Sequence, residues 1–241
     1  MATVCVDGDF FEVGPDGRLT IIRGELGLRN RVIYRDPGNH VFRKADYPWL
    51  TKVFIEVQGA GGGSAGANAR DGECIARPGG AGGAYANIIL AASSLGATEA
   101  VVVGAGGAAG TSNGAGGAGG ASSFGGVAVA QGGDGGTVFM TSGTSPDVTS
   151  GVPGASALGG TGGLTAGGGA SGGAFRLNGT NGMAGAGGDS RMGQGGFPRA
   201  SEGDGGVPRG RGSGAGGSLS YGEPVNGQDG ADGLVIVWLY G

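Results

Sequence analysis

The chain has 241 residues, of which 65 are glycine, 9 are proline, 2 are cysteine and 14% are charged, with a formal net charge of −4. Collagen is excluded because glycine keeps a three-residue phase only over short stretches and proline is scarce. Residues 1–52 contain eight basic and seven acidic residues, and the remainder contains seven basic and twelve acidic residues. Neither part has the excess of positive charge that nucleic-acid binding requires.

Residues 1–46 contain short strand candidates separated by turns, and we expect a compact β-rich attachment module there. The candidates are Thr3 to Val6, Phe10 to Val13, Arg18 to Ile22 and Arg31 to Arg35, with a turn at Pro15-Asp16-Gly17. Seven acids balance seven bases in this stretch, which suits a surface that docks against protein.

The N-terminus offers no basic stretch that leads into an apolar run, and no apolar run is long enough to span a membrane. We therefore expect neither a secretory signal nor membrane insertion. For a protein assembled in a cytoplasm, Cys5 and Cys74 are expected to be free thiols rather than a disulfide.

Residues 47–241 are predicted to form a second, glycine-rich domain. Its first strand, Lys52 to Gln58, places Val53, Ile55 and Val57 on one face, and its last runs from Leu234 to Tyr240. We expect these two strands to pair and close the domain at its base. Three more strand candidates are predicted to complete one sheet, with almost no helix: Tyr85 to Leu90, Glu99 to Val103 and Val127 to Ala130.

All but seven of the glycines lie between residues 59 and 233, often at every third position. The phased sets are Gly104, Gly107 and Gly110; Gly114, Gly117 and Gly120; Gly179, Gly182, Gly185 and Gly188; and Gly227, Gly230 and Gly233. Three residues per turn is the repeat of the extended polyproline II helix, so these glycines line one edge of it. Without Cβ atoms there, such helices can pack backbone to backbone and exchange N–H···O=C bonds.

The fold class expected is therefore all-β and irregular: a small N-terminal β module, then a sheet base that carries a bundle of short polyglycine II helices. Hydrogen bonds contribute about 0.5–1.5 kcal/mol each, against about 1–2 kcal/mol per residue for backbone ordering. Such a bundle needs anchorage from the sheet or from partner chains.

Several short motifs match patterns for nucleotide binding or catalysis, but the sequence around each one does not support that function. Gly61-x-Gly63-x-x-Gly66 follows a strand but leads into no amphipathic helix that would hold a pyrophosphate. The nucleophile-elbow patterns around Ser64 and Ser171 arise by chance in glycine-rich sequence, and His40 is the sole histidine. We expect no enzyme activity, no catalytic residue and no cofactor.

Aspartates beside glycine raise the possibility of a calcium site, but they lack the nonapeptide spacing of a calcium β-roll. They are Asp134, Asp189, Asp204, Asp229 and Asp232. Aspartate next to glycine is ordinary turn chemistry, so no metal is expected.

Large side chains are concentrated in the segments that interrupt the glycine runs. Aromatic, methionine and arginine residues are enriched at binding hot spots, which makes these positions candidate receptor contacts. The simpler interpretation is that they cover the ends and outside of the bundle. The candidates are Phe139, Met140, Phe175, Arg176, Arg191, Met192, Phe197, Arg199 and Tyr221.

The order of strands and glycine phrases resembles the glycine-rich domain of bacteriophage tail proteins. The resemblance rests on Val53 to Gly63, Gly82-Gly83-Ala84-Tyr85, Val101 to Gly107, Ala121 to Gly126 and Asp232 to Val237, and it covers about residues 47–241. The first 46 residues resemble the attachment regions of minor tail proteins only loosely.

This resemblance implies a virion component of the tail tip or fibre, assembled in the host cytoplasm, whose bundle presents loops for host recognition. Implied partners are other tail proteins and a host-surface saccharide or protein, and a homotrimer is the favoured oligomer. The alternative is a purely structural or surface-templating protein of the ice-binding or cell-wall type, which would present one flat face of regularly spaced small residues. A polysaccharide depolymerase would need a pair of carboxylates in a cleft.

Overall fold

The computed structural model describes residues 11–21, 27–157 and 160–241, so Thr3 to Val6, Cys5, Phe10 and Ile22 lie outside the described residues. These described residues form eighteen strands: β1 Phe11–Val13, β2 Leu19–Ile21, β3 Leu28–Tyr34, β4 Gly38–Arg43, β5 Lys52–Gln58, β6 Ile75–Ala76, β7 Tyr85–Ala91, β8 Thr98–Val103, β9 Ser122–Phe124, β10 Ala128–Ala130, β11 Asp147–Thr149, β12 Leu164–Ala166, β13 Ala174–Asn178, β14 Asn181–Met183, β15 Met192–Gln194, β16 Arg209–Arg211, β17 Leu219–Ser220 and β18 Leu234–Tyr240. Helix in the same ranges is limited to short turns such as Lys44–Asp46 and Ala92–Ser94. The all-β class with almost no helix is confirmed.

The base is a sandwich of two antiparallel sheets, where a single sheet was predicted. One sheet has the order β12-β7-β5-β18-β3 and the other β10-β9-β8-β4. They enclose one core, in which the inward residues of β5 and β18 meet Phe42, Val101 and Phe124. The apolar face of β5 needs a cover, and with neither helices nor large side chains in the glycine runs, a second sheet provides it.

The predicted pairing of the first and last strands of the glycine-rich region is confirmed. Strands β5 and β18 are antiparallel neighbours from Leu234 opposite Gln58 to Tyr240 opposite Lys52. Val53, Ile55 and Val57 are fully buried, as their shared face predicts. The glycine-rich region that starts after β5 and finishes before β18 therefore begins and ends at the same place on the sandwich.

The described part of the predicted attachment module shares both sheets with the rest of the chain. Strand β3 pairs with β18 and β4 pairs with β8, whereas β1 and β2 form a separate hairpin around the expected turn. The boundary between residues 46 and 47 stays a prediction.

The glycine runs form a bundle of extended segments around a first central segment, 59–67, which is buried throughout. Its N–H groups donate in rotation to three neighbours: positions 59 and 62 to segment 77–84, positions 60, 63 and 66 to segment 114–121, and positions 61, 64 and 67 to segment 225–233. Its carbonyls accept from segments 104–110, 131–136 and 212–218. The rotation repeats every three residues, as in a polyglycine II helix.

A second central segment, 77–84, is also buried throughout and is surrounded in the same way. It donates to segments 131–136, 167–173 and 212–218, and accepts from segments 59–67, 151–155 and 184–189. Where two segments share more than one hydrogen bond, successive bonds lie three residues apart on each segment. The bundle is therefore a lattice of main-chain hydrogen bonds in which neighbours run both parallel and antiparallel.

Central glycines are required because there is no room for a Cβ atom. A Cβ on Gly61 would lie 2.0 Å from the carbonyl oxygen of Ser213, and one on Gly80 would lie 2.2 Å from that of Gly62. Neither glycine has a left-handed φ. Left-handed φ angles occur instead at turns, such as Gly125 and Gly126 between β9 and β10, with φ of 52° and 71°.

Three of the four phased glycine sets lie in this lattice as predicted, within segments 104–110, 114–121 and 225–233. The fourth is divided: Gly185 and Gly188 are lattice donors, but Gly179 lies in the turn between β13 and β14, and Gly182 lies in β14 itself. The three-residue phase of Gly179 and Gly182 is coincidental.

Outer segments have N–H groups that point away from the lattice and find no main-chain acceptor there. Aspartate side chains accept hydrogen bonds from several of them. Asp229 accepts from Ala109 at 2.7 Å, and Asp232 accepts from Gly106 at 2.9 Å. Asp189 and Asp204 likewise accept from Gly195 and Asn226. These side chains replace a missing neighbouring segment, which is the polyglycine counterpart of covering the edge of a sheet.

We expect Gly80→Ala to destabilise the fold by about 2–3 kcal/mol, because the added methyl would force the two central segments apart. Urea unfolding of the full chain measures this loss. The matched control is Ala118→Val, which adds volume at an exposed lattice position and should change stability by less than about 0.5 kcal/mol. Equal effects of the two substitutions would contradict close backbone packing as the reason for glycine.

Candidate functional site

The end of the bundle remote from the sandwich carries a separate small sheet. The first central segment leaves β5, and the chain returns to β7 through the second, so residues 68–76 between them lie at the remote end. Cys74 in that turn donates its N–H to the carbonyl of Gly143. Strands β11, β13 and β14 form a three-stranded sheet at this end, in that order.

Four exposed apolar side chains lie together on this sheet and the loop beside it, and we call them the distal apolar surface. Along β13, Phe175 and Leu177 face outwards and alternate with the buried Ala174 and Arg176. Val148 of β11 is directly opposite Phe175. The exposed fractions are 80% for Phe139, 79% for Val148, 59% for Leu177 and 38% for Phe175.

A groove of about 350 Å³ opens in the distal apolar surface between Phe139 and Val148. Its floor continues along the extended chain at 149–153 and includes Thr137. The hydroxyl oxygen of Thr137 is buried and has no hydrogen-bond partner. The groove thus has apolar walls at Phe139, Val148 and Val152, and Thr149 and Ser150 also line it.

A small core supports the distal sheet from below. Its buried members are Cys74, Ala76, Met140, Ala174, Ala184 and Leu219, with Tyr221 packed against them. The Sδ atom of Met140 also lies 3.3 Å from the N–H of Ala76.

Arg176 fixes the loop that carries Phe139 by capping its carbonyl groups. The guanidinium donates to the carbonyls of Ser145 and Thr141 at 2.6 Å each and to that of Cys74 at 2.8 Å. Asp147 pairs with it at 3.6 Å. Because guanidinium presents several donors in a planar fork, one buried side chain holds three stretches of backbone together.

Arg77 holds the same loop from the other side. It donates to the carbonyl of Met140 at 2.7 Å, to that of Gly66 at 2.9 Å and to the side-chain oxygen of Asn113 at 2.8 Å. Burial lowers the pKa of Arg77 to about 10, because the charged form loses water. The group remains charged at neutral pH, held by neutral oxygen acceptors.

Burial also keeps two acidic groups beneath the surface neutral. It raises the pKa of the Cys74 thiol to about 11, with Arg176 opposing the shift and Glu202 adding to it. Burial likewise raises the pKa of Tyr221, and the hydrogen bond to Gly182 opposes this. A buried, protonated thiol is a poor nucleophile, so Cys74 acts here as a small apolar residue.

The structure separates the nine predicted receptor contacts. Phe139 and Phe175 belong to the distal apolar surface, whereas Met140 and Arg176 are buried beneath it. Tyr221 also lies beneath the distal sheet, packed against its small core and hydrogen-bonded to Gly182. The other four lie elsewhere: Arg199 donates to the carbonyl of Glu202, Phe197 lies beneath Arg209 on the flank of the bundle, Arg191 lies over Tyr85 at the sandwich, and Met192 is in β15.

Two members of the distal apolar surface, Val148 and Leu177, were not predicted. The sequence Ala174-Phe-Arg-Leu-Asn178 contains the relevant signal, since apolar residues at alternate positions of a strand share a face. Applying this alternation would have grouped Leu177 with Phe175 and assigned Arg176 to the opposite side.

The residues of the rejected motifs have structural roles among the described residues. The hydroxyl of Ser64 accepts from Gln228, and that of Ser171 accepts from Val152, so both replace lattice carbonyls. The His40 ring hydrogen-bonds the carbonyl of Asp36 at 2.7 Å and packs against Tyr34. Residues 11–21, 27–157 and 160–241 contain no cluster of metal-ligating side chains.

Within the same part of the chain, no helix is long and apolar enough to cross a membrane.

Together, these features define a glycine-rich β protein, in which a β sandwich carries a polyglycine II lattice with an apolar surface at its far end. Comparison with protein families finds a match to a glycine-rich domain over residues 43–240. The chain therefore belongs to this glycine-rich domain family. No curated protein matches the chain.

Replacing Arg176 by Met should destabilise the protein by about 3 kcal/mol, because several buried carbonyls and Asp147 lose their partner. Urea unfolding measures the stability, and hydrogen exchange of residues 139–147 should accelerate. Arg18→Met removes an exposed ion pair with Asp16 and should have an effect within about 0.5 kcal/mol. If Arg176→Met leaves exchange in the loop unchanged, the proposed anchoring is wrong.

Proposed function

We propose that the chain is a structural component of a bacteriophage tail tip or fibre and that its distal apolar surface contacts the host cell. The observation that carries the proposal is the exposure of four large apolar side chains together at the end of a scaffold whose main core lies elsewhere. Contiguous exposed apolar surface in a folded protein marks an interaction site. The resemblance of residues 47–241 to phage tail proteins is the reason for proposing a phage tail as the place where the protein acts.

The scaffold suits such a role because it is stiff without large side chains. Main-chain bonds link each central segment to neighbours on all sides, and two buried arginines hold the loop next to Phe139. Side chains already held in place lose less entropy when a receptor binds. The sandwich lies at the opposite end, where it would join other tail proteins.

Of the two expected receptor classes, a host-surface protein is favoured over a saccharide. The members of the distal apolar surface carry no polar groups, and the charge of Asp147 beside them is neutralised by Arg176. Sugar hydroxyls would find no hydrogen-bond partner on these ring and aliphatic side chains, although the hydroxyl residues Thr149 and Ser150 line the groove between them. The apolar side chains of a protein receptor fit them.

The double substitution Phe139→Ser with Val148→Ser should weaken binding of the purified chain to host envelopes by about 10–100-fold, as expected for the loss of two apolar contacts. Fluorescently labelled protein and host cells measure the binding, and competition with phage adsorption gives a second readout. Val207→Ser, at a residue 57% exposed near β16, is the matched control.

Wild-type protein that neither binds envelopes nor slows adsorption would remove the receptor-binding role. Immunogold labelling of virions tests the tail role separately, because antibody against the full chain should decorate the tail. Unlabelled particles would contradict membership of the virion.

One flank of the bundle favours a second candidate function, surface templating. Exposed alanines recur at every third position on two hydrogen-bonded segments, at Ala105 and Ala108 on one and at Ala115, Ala118 and Ala121 on the other. Their methyl groups are spaced by about 9 Å along each segment, three residues of a polyproline II-type helix. Thermal hysteresis that disappears in Ala118→Lys would support ice binding, and its absence in the wild-type chain would exclude it.

A further inference from the structure

The outer face of the five-stranded sheet is unusually apolar for a face turned away from the core. Its central row, read across the strands, is Ile89 of β7, Phe54 of β5 and Trp238 of β18, and it ends at Arg31 of β3, whose guanidinium lies over the Trp238 ring at 5.2 Å. Ile89 is 68% exposed, and the two rings are partly exposed. The outward side of an antiparallel sheet normally carries polar residues, so this row indicates a covering partner.

A socket lies next to the exposed Ile89. It encloses about 290 Å³ and is lined by Lys52, Phe54, Ile89 and Tyr240. The outer face is therefore uneven, with Ile89 protruding at the edge of a recess on the Lys52 side of the row.

Two opposite charges flank the central row without a counter-ion. The ammonium of Lys52 lies over the ring of Tyr240 at 5.5 Å, and no ion pair to it occurs among the described residues. Glu56, on the other side of the row, accepts hydrogen bonds from the Tyr85 hydroxyl at 2.6 Å and the Trp238 indole N–H at 2.7 Å. Both donors are neutral, and no ion pair to Glu56 occurs among the described residues.

We propose that the outer faces of two copies of this chain pack together as a two-fold symmetric dimer. The rotation axis would lie in the interface along the row from Ile89 to Trp238. This rotation reverses the strand direction, so Lys52 of one copy meets Glu56 of the other, twice, on either side of the apolar row. An isologous interface must be complementary to itself, and the two Lys52–Glu56 pairs beside the apolar row meet this condition, while the two Arg31 side chains lie at the rim, each stacked on its own Trp238 ring.

A second copy explains the face better than a different partner does. The two charges are four residues apart on β5 and equidistant from Phe54, which is the arrangement that a two-fold axis through Phe54 requires. An apolar centre with charged groups at its rim is also the usual anatomy of a protein interface. The dimer is independent of receptor binding and differs from the trimer that the phage resemblance suggests.

Sedimentation velocity of the full chain over a micromolar concentration series tests the proposal. The wild-type protein should change from a 22.9 kDa monomer to a species of twice that mass. Ile89→Asp should raise the dissociation constant at least about 100-fold, because it places two carboxylates on the symmetry axis. Lys52→Glu should raise it at least about tenfold, since it faces Glu56 of the second copy with a like charge.

Val148→Asp and Arg18→Glu are the matched controls, being exposed positions on the distal sheet and in the β1–β2 hairpin. Both should dimerise like the wild-type protein, and circular dichroism should show that all four variants fold. The proposal is overturned if the wild-type chain sediments only as a monomer or as a trimer, or if its dimer survives Ile89→Asp. Envelope binding by a strictly monomeric chain would leave the proposed function intact while the dimer fails.

Discussion

Close approach of one backbone to another is the constraint on which this structure depends. In the lattice, N–H and C=O groups of adjacent segments bond directly, and the space between them is too small for a Cβ atom at positions such as Gly61 and Gly80. Glycine therefore serves as a packing residue, although it is the costliest residue to order. The sandwich supplies the apolar core that the lattice lacks, and its strands deliver segments already aligned to the bundle.

Much of the fold could be predicted from the sequence because two periodicities are strong. A two-residue alternation predicts β5 and its buried valines, and a three-residue phase predicts segments such as 104–110 and 114–121. Both periodicities are local, so neither determines how the strands are divided between sheets. That division depends on contacts between distant parts of the chain, and the prediction of a single sheet was wrong because the sequence does not contain this information.

The candidate site was less predictable, because residue type alone does not distinguish a surface from its support. Arg176 and Phe175 are adjacent and both are typical of binding sites, yet one caps buried carbonyls and the other faces solvent. Several backbone carbonyls at the end of the bundle lack a main-chain donor, and a buried guanidinium can bond to all of them. Only the three-dimensional arrangement shows that these carbonyls lie close together. Leu177 was missed because the alternation of residues 174–178 was not applied, and Val148 was missed because its strand, Asp147–Thr149, is too short to show an alternation of its own.

Capping of the outer segments by aspartate also bears on how such proteins change over generations. The lattice is specified by main-chain atoms, by missing Cβ atoms and by a few carboxylates such as Asp229 and Asp232. Loops between segments contribute few of these, Asp204 being one, so most insertions or replacements there leave the hydrogen-bond register unchanged. Evolution could therefore replace residues at the distal end of the bundle while the polyglycine II lattice stays the same.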